Sequence, residues 1–251
     1  MDELQDELVR IGLTSLAGYG FALAGGYALQ AHGLVDRMSE DVDLFTDRWD
    51  PDQFGRAVEA VVDAYERHGL EVAVVRRADT FARMRVHDPE TGRLGEVDLA
   101  ADYRGHEPDT LTIGPVLAEA DAVASKVATV FSRGYARDYL DLAAILASGR
   151  FAKDELLEMA RQVDAGFTDQ GFAEALAAVD RLPDDEFARY GADPPAIAAV
   201  REAMAGWSRG LVGSLGSRDL GHGAPQPRMG PRRYGSAIRE PSTREPPGPG
   251  L

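Results

Sequence analysis

Two aspartates separated by one residue, Asp41 and Asp43, form the pair in this chain best suited to chemistry. They stand in an apolar segment that reads as a β-strand, where alternate side chains point to the same side. Two adjacent negative charges are unfavourable unless a cation lies between them. Mg²⁺ prefers carboxylate oxygens together with substrate phosphates. The pair therefore predicts a magnesium site, and the alternative is a solvated strand end.

A glycine pair, Gly25-Gly26, precedes the aspartates and follows another apolar segment. It opens a predicted short helix, and the free backbone N–H groups at a helix start suit an anion such as a triphosphate. The alternative is a tight turn without a ligand. A phosphate-binding turn followed by a metal-binding carboxylate pair is typical of enzymes that transfer a nucleotidyl group.

Three segments in this order carry a family resemblance. They read GGYAL at 25–29, RMSEDVDL at 37–44 and RDYLDL at 137–142, with Lys126 ahead of the last. Together they resemble the AbiEii/AbiGii nucleotidyl transferase toxin family of the DNA polymerase beta-like superfamily, over roughly residues 15–150. One departure is Tyr27, because the family often carries Ser or Thr directly after the glycines.

The resemblance implies a site that holds an NTP and Mg²⁺. It assigns the metal to Asp41 and Asp43, phosphate contacts to Gly25, Gly26 and Ser39, and charge neutralisation to Arg37, Lys126 and Arg137. It also implies a toxin whose acceptor is the 3′ end of tRNA or another RNA, controlled by a separately encoded antitoxin protein. Two alternatives stay open: a small-molecule transferase of the aminoglycoside type, and a non-catalytic nucleotide-binding module.

A third carboxylate is expected from Asp98, in the predicted strand 94–100. If the sheet is built as in the polymerase beta-like enzymes, Asp98 lies beside the Asp41/Asp43 strand. There it completes the metal site or helps to deprotonate the attacking hydroxyl. Glu96 has the same strand parity and is the obvious substitute, and an ordinary strand-end acid is the alternative for both.

The helical segment after Pro115 contains Lys126, which lies beside an apolar stripe. Periodicity favours a surface lysine with its amine in solvent, whereas the resemblance implies contact with nucleotide phosphates. Asp138 and Asp141 are three residues apart and share a helix face. They are expected to orient Lys126 or Arg137, or to act as base, and the alternative is an acidic first turn.

Composition limits the function classes. The chain has 251 residues, 44% apolar content and no cysteine, which excludes disulfides, thiolate zinc sites and cysteine nucleophiles. It shows no signal peptide and no apolar run long enough to span a bilayer, so we expect a cytoplasmic protein without membrane contact. The net charge of −15 disfavours broad nucleic-acid binding and favours small nucleotides or a local basic patch.

The predicted fold class is α/β (α+β), with a mixed twisted sheet flanked by helices. Residues 1–112 are predicted to form the nucleotidyltransferase domain and residues 113–207 a helical domain. Residues 208–251 hold nine Gly, seven Pro and seven Arg. This segment is predicted to be a disordered tail, because it cannot bury enough apolar surface to offset its ordering entropy.

Overall fold

The computed structural model describes residues 3–37 and 39–218. Its strands are β1 (Ala22–Leu23), β2 (Asp41–Thr46), β3 (Glu71–Ala78), β4 (Phe81–His87), β5 (Leu94–Ala101), β6 (Asp109–Leu111) and β7 (Gly114–Val116). Its α-helices are α1 (Glu3–Ser15), α2 (Gly25–Ala31), α3 (Pro51–Arg67), α4 (Glu119–Ser132), α5 (Ala136–Ala147), α6 (Lys153–Val163), α7 (Asp169–Ala177), α8 (Asp184–Ala188) and α9 (Pro194–Arg218). A 3₁₀ turn spans Ala178–Arg181.

The strands form one mixed sheet in the order β3-β4-β5-β2-β1-β7-β6. β2 pairs with β5 and β1 with β7 in parallel, while the remaining neighbours are antiparallel. The parallel pairing of β2 with β5 brings two acidic strands together at the centre of the sheet. The predicted mixed sheet flanked by helices is confirmed.

One face of the sheet is apolar and packs against α1 and α3. Val42 and Leu44 on β2 alternate with the aspartates and are fully buried. α3 starts at Pro51, where the Asp50 carboxylate accepts hydrogen bonds from the N–H groups of Asp52 and Gln53. The Tyr65 hydroxyl of α3 donates to the Leu8 carbonyl of α1 at 2.9 Å. The polar side chains of β2, β4 and β5 lie on the opposite face.

The structure differs from the predicted boundaries at two places. β7 lies beyond the predicted boundary at residue 112 and pairs with β1 through Val116 and Leu23, so the sheet extends to Val116. α9 continues past residue 207 to Arg218, because Ser208 and Leu211 are buried and the Ser208 hydroxyl donates to the Ala173 carbonyl. The rest of the predicted tail, residues 219–251, lies outside the described residues. Over the described range, no helix is both long and apolar enough to cross a membrane.

Candidate active site

Three carboxylates meet where β2 and β5 run side by side. Asp43 lies opposite Asp98 in the parallel register, so Asp98 lies beside the Asp41/Asp43 strand, as expected if the sheet is built as in the polymerase beta-like enzymes. One oxygen from each of Asp41, Asp43 and Asp98 lies within 4.8 Å of the others. Glu96 lies opposite Asp41 but forms an ion pair with Arg83 at 3.0 Å and stands outside the cluster.

The charges of this acidic cluster disfavour one another. Burial raises the pKa of Asp43 well above its ordinary value, and the charges of Asp41 and Asp98 raise it further. Burial also raises the pKa of Asp98, although the Arg83 guanidinium opposes that effect. Closely spaced carboxylate oxygens are the ligands of a hard divalent cation. The acidic cluster therefore fits the predicted metal site by its geometry and by its excess of negative charge.

Gly25 allows the start of α2 to lie directly against Asp43. Its φ of +58° favours glycine, and a Cβ atom at this position would coincide with the Asp43 carboxylate. A Cβ atom on Gly26 would lie 2.8 Å from the Ser39 hydroxyl oxygen. Both glycines are thus required for the close approach of this turn to the acidic strand. A turn that lay away from the site would not require glycine for this reason.

Tyr27, the departure from the family pattern, has a structural contact. Its side chain is fully buried and its hydroxyl donates to the Ser39 carbonyl at 3.0 Å. The Ser39 hydroxyl in turn lies 3.4 Å from an Asp41 carboxylate oxygen, as a long hydrogen bond. The tyrosine therefore supports the segment that carries Ser39.

Lys126 is buried on α4, with its side chain only 9% exposed, so it is not the surface lysine that periodicity favoured. Its amine donates to Asp138 at 3.0 Å and pairs with Asp141 at 2.9 Å. Burial alone would lower the pKa of Lys126, but the charges of Asp141 and Asp138 outweigh it and raise the pKa. Both aspartates are fully buried on α5. A buried carboxylate without a partner is strongly destabilising, and the amine of Lys126 supplies the positive charge that both need.

Asp138 and Asp141 have different further partners. Asp138 accepts hydrogen bonds from the Tyr135 N–H at 3.1 Å and from Arg133 at 3.2 Å, so it also caps the first turn of α5. Burial opposes ionisation of Asp138, but the charges of Lys126 and Arg133 outweigh it and lower the pKa. Asp141 accepts two hydrogen bonds of 2.6 Å from Arg37, which ties α5 to the segment before β2.

Arg137 reaches from α5 to the acidic cluster. Its guanidinium donates to Glu40 at 2.9 Å and lies 3.9 Å from Asp41. Tyr190, between α8 and α9, donates its hydroxyl to the same Glu40 oxygen, and the Arg37 guanidinium lies 5.4 Å from the Tyr190 ring centre. The sheet and the helical part therefore meet around the segment that precedes β2.

Sequence reasoning missed Arg83 on β4, which donates to both carboxylate oxygens of Asp98 at 2.8 and 2.7 Å. It also missed Arg133, Glu40 and Tyr190. A signal for Arg83 was available, because residues 88–92 read DPETG, a turn-like sequence, and antiparallel pairing across it aligns Arg83 with Asp98. Glu40 and Tyr190 depend on contacts between distant elements, which no local pattern reports, whereas Arg133 contacts Asp138 five residues further along the chain.

Comparison with known proteins gives one family and a set of similar structures. The family model described as "Nucleotidyl transferase AbiEii toxin, Type IV TA system" matches residues 8–205. A protein described as a nucleotidyltransferase from H. pylori aligns over 89% of this chain and 100% of its own, with TM-score 0.52 and 18% identity. MenT4, a nucleotidyltransferase toxin from Mycobacterium tuberculosis, aligns over 85% and 92%, with TM-score 0.56 and 21% identity. No match was found among curated proteins.

Proposed function

This chain belongs to the AbiEii nucleotidyl transferase toxin family of type IV toxin–antitoxin systems, and we propose that it uses Mg²⁺ to transfer a nucleoside monophosphate from an NTP to RNA. The proposed acceptor is the hydroxyl at the 3′ end of tRNA. The observation that carries the proposal is the acidic cluster, with three carboxylate oxygens within 4.8 Å of one another against the Gly25-Gly26 turn.

Asp41, Asp43 and Asp98 would hold the metal. When bound, a divalent ion supplies charge stabilisation to the phosphates and to the leaving pyrophosphate. Asp98 suits the role of ligand better than that of base, because Arg83 occupies both of its oxygens with short hydrogen bonds and favours the ionised form. Arg83 also fixes the orientation of this carboxylate.

The nucleotide phosphates are proposed to lie against Gly25, Gly26 and Ser39, with Arg137, whose guanidinium lies 3.9 Å from Asp41, as a neighbouring cation. Arg37 and Lys126 were predicted to share that role, yet both are bound to Asp141 in this structure. We propose that they act mainly by holding α5 against the segment before β2. Fixed placement of charged groups in this way is the main means by which such transfers are accelerated.

A small cationic acceptor, as in the aminoglycoside transferases, is the second candidate, and the net charge of −15 favours it. Tyr27 no longer supports a non-catalytic module, because its hydroxyl has a structural partner in Ser39. The toxin role also implies an NTP donor and a cognate antitoxin, which we propose to be separately encoded.

Incubation of the protein with each labelled NTP and Mg²⁺, with either total tRNA or an aminoglycoside panel, tests the proposal. We expect label at the 3′ end of RNA for the parent and none for Asp41→Asn. Asp63→Asn, an exposed substitution on α3, is the matched control and should keep full activity. Expression in cells should arrest growth with the parent and the control but not with Asp41→Asn. Label on the aminoglycosides alone would overturn the RNA assignment.

A further inference from the structure

The face of the sheet that carries the acidic cluster continues into the β3–β4 hairpin as a basic surface. One cross-strand row runs from Asp43 to Asp98, then to Arg83 on β4 and Arg76 on β3. Neighbouring strands lie about 4.8 Å apart, so Arg76 is about 10 Å from Asp98 and about 14 Å from Asp43 along this row. Negative charge at the centre of the sheet thus gives way to positive charge at its edge.

The neighbouring rows add a second arginine and an aromatic ring. Arg85 lies opposite Glu96, and Phe81 lies opposite Ala100 on the same face. The Arg76 guanidinium stands 5.2 Å from the centre of the Phe81 ring. We call the group formed by Arg76, Phe81 and Arg85 the hairpin surface.

The hairpin surface is accessible to a ligand. Arg76 and Arg85 are both exposed, and Phe81 is partly buried. Within residues 3–37 and 39–218, the Arg85 guanidinium makes no hydrogen bond or ion pair, although its charge opposes the raised pKa of Glu96 on β5. On the other face of the same hairpin, Arg77 pairs with Glu59 of α3. Helix packing therefore accounts for the arginine on that face but not for Arg85.

Resting on the proposed function, we infer that the hairpin surface binds the single-stranded end of an RNA acceptor and leads its terminal hydroxyl to the acidic cluster. Guanidinium groups bind phosphates along the strand, and a phenyl ring accepts a stacked base of any sequence. Arginines attract an anionic RNA and repel a cationic small molecule. The hairpin surface therefore favours RNA over the cationic small acceptor. It also supplies the local basic patch that a chain with a net charge of −15 requires to contact RNA.

Binding of a labelled single-stranded RNA without NTP tests the inference, with fluorescence anisotropy measured at several salt concentrations. In Arg76→Gln/Arg85→Gln we expect affinity to fall about tenfold and the salt slope to flatten by roughly 0.7 for each lost phosphate contact. Phe81→Leu should weaken binding at every salt concentration with little change in slope. Affinity for NTP with Mg²⁺, measured without RNA, should stay unchanged in all of these variants.

Arg56→Gln/Arg67→Gln is the matched control, because it removes two positive charges from α3, on the opposite face of the sheet. Equal losses in both double variants, or no RNA binding by the parent, would overturn the inference. Binding that depends on the hairpin without transfer of label to RNA would leave the surface standing and contradict the proposed function. Transfer to RNA with full rate and affinity in the hairpin variants would overturn the inference and leave the proposed function standing. Thermal unfolding of each variant verifies that it is folded.

Discussion

The two halves of the candidate active site use charged residues in opposite ways. On the sheet, three carboxylates lie together, with Arg83 bonded to Asp98 and the Arg137 guanidinium 3.9 Å from Asp41. In the helical part, two buried carboxylates are bonded to three cations, namely Asp138 and Asp141 with Lys126, Arg37 and Arg133. The sheet half has an excess of negative charge, whereas the helical half is fully paired.

The pKa shifts of the two halves have opposite signs. The pKa of Asp43 is raised by burial and by its acidic neighbours, while that of Asp138 is lowered because Lys126 and Arg133 outweigh burial. Asp138 is therefore stabilised as an anion by the protein itself, whereas the anion of Asp43 would be stabilised by an added cation. Acidic residues that look alike in the sequence thus have different roles. Asp43 is suited to bind a cation, and Asp138 is suited to stabilise the fold.

The largest effect is expected from Asp43→Asn. Loss of one charged ligand should lower the transfer rate by about 10³-fold or more, equivalent to about 4 kcal/mol. The free energy of unfolding without metal should stay the same or rise, because a destabilised charge is removed. Steady-state kinetics and urea unfolding measure the two quantities. Full activity in the folded variant would remove Asp43 from the metal site.

In the helical half, Lys126→Met should act mainly on stability. Two buried carboxylates lose a shared cation, which typically costs about 3–5 kcal/mol of unfolding free energy. We expect the lower end of that range, because Arg133 and Arg37 remain bound to Asp138 and Asp141. Urea unfolding should show the loss, and Lys126→Arg, which keeps the charge, should recover part of it. A change below about 0.5 kcal/mol would mean that the pair is not stabilising.

Magnesium should act on the sheet half alone, whereas pH should act on both halves with opposite signs. The unfolded Asp43 carboxyl ionises near pH 4 and the folded one at higher pH, so metal-free stability falls as pH rises between the two pKa values. Mg²⁺ at ten times its Kd should add about 1.4 kcal/mol at neutral pH. Asp138 contributes with the opposite sign, since its stabilisation is lost on acidification. Thermal unfolding over pH tests this, and a magnesium response that persists in Asp43→Asn would contradict it.

The parts of this site that could be predicted from sequence are those governed by strand alternation. Asp41 and Asp43 share a face because side chains alternate along β2, and Val42 between them is buried as that pattern requires. The position of Asp98 needed the strand order of a known family, because parallel pairing of β2 with β5 is not encoded in either strand.

The rest depends on partners that are distant in the chain. The burial of Lys126 could not be derived from its own helix, because a lysine is buried only where carboxylates from another element, here Asp138 and Asp141, receive its charge. The end of α9 was misplaced for a similar reason. Its last turns are poor in helical periodicity, yet Leu211 is buried and the Ser208 hydroxyl is bonded to α7.

The smallest effect is expected from Tyr27→Phe, which tests how the sheet half is supported. Loss of the hydroxyl that donates to the Ser39 carbonyl should cost about 1 kcal/mol of unfolding free energy, and Gln5 still donates to that carbonyl at 3.2 Å.

Tyr65→Phe is the matched control, because its buried hydroxyl also donates to a backbone carbonyl, that of Leu8. Both variants should lose similar stability in urea unfolding. Only Tyr27→Phe should raise the KM for NTP, by about two- to fivefold or roughly 0.4–1 kcal/mol, because Ser39 is then less firmly held beside Asp41. Equal KM values in the two variants would show that Tyr27 supports the fold without positioning the phosphate site.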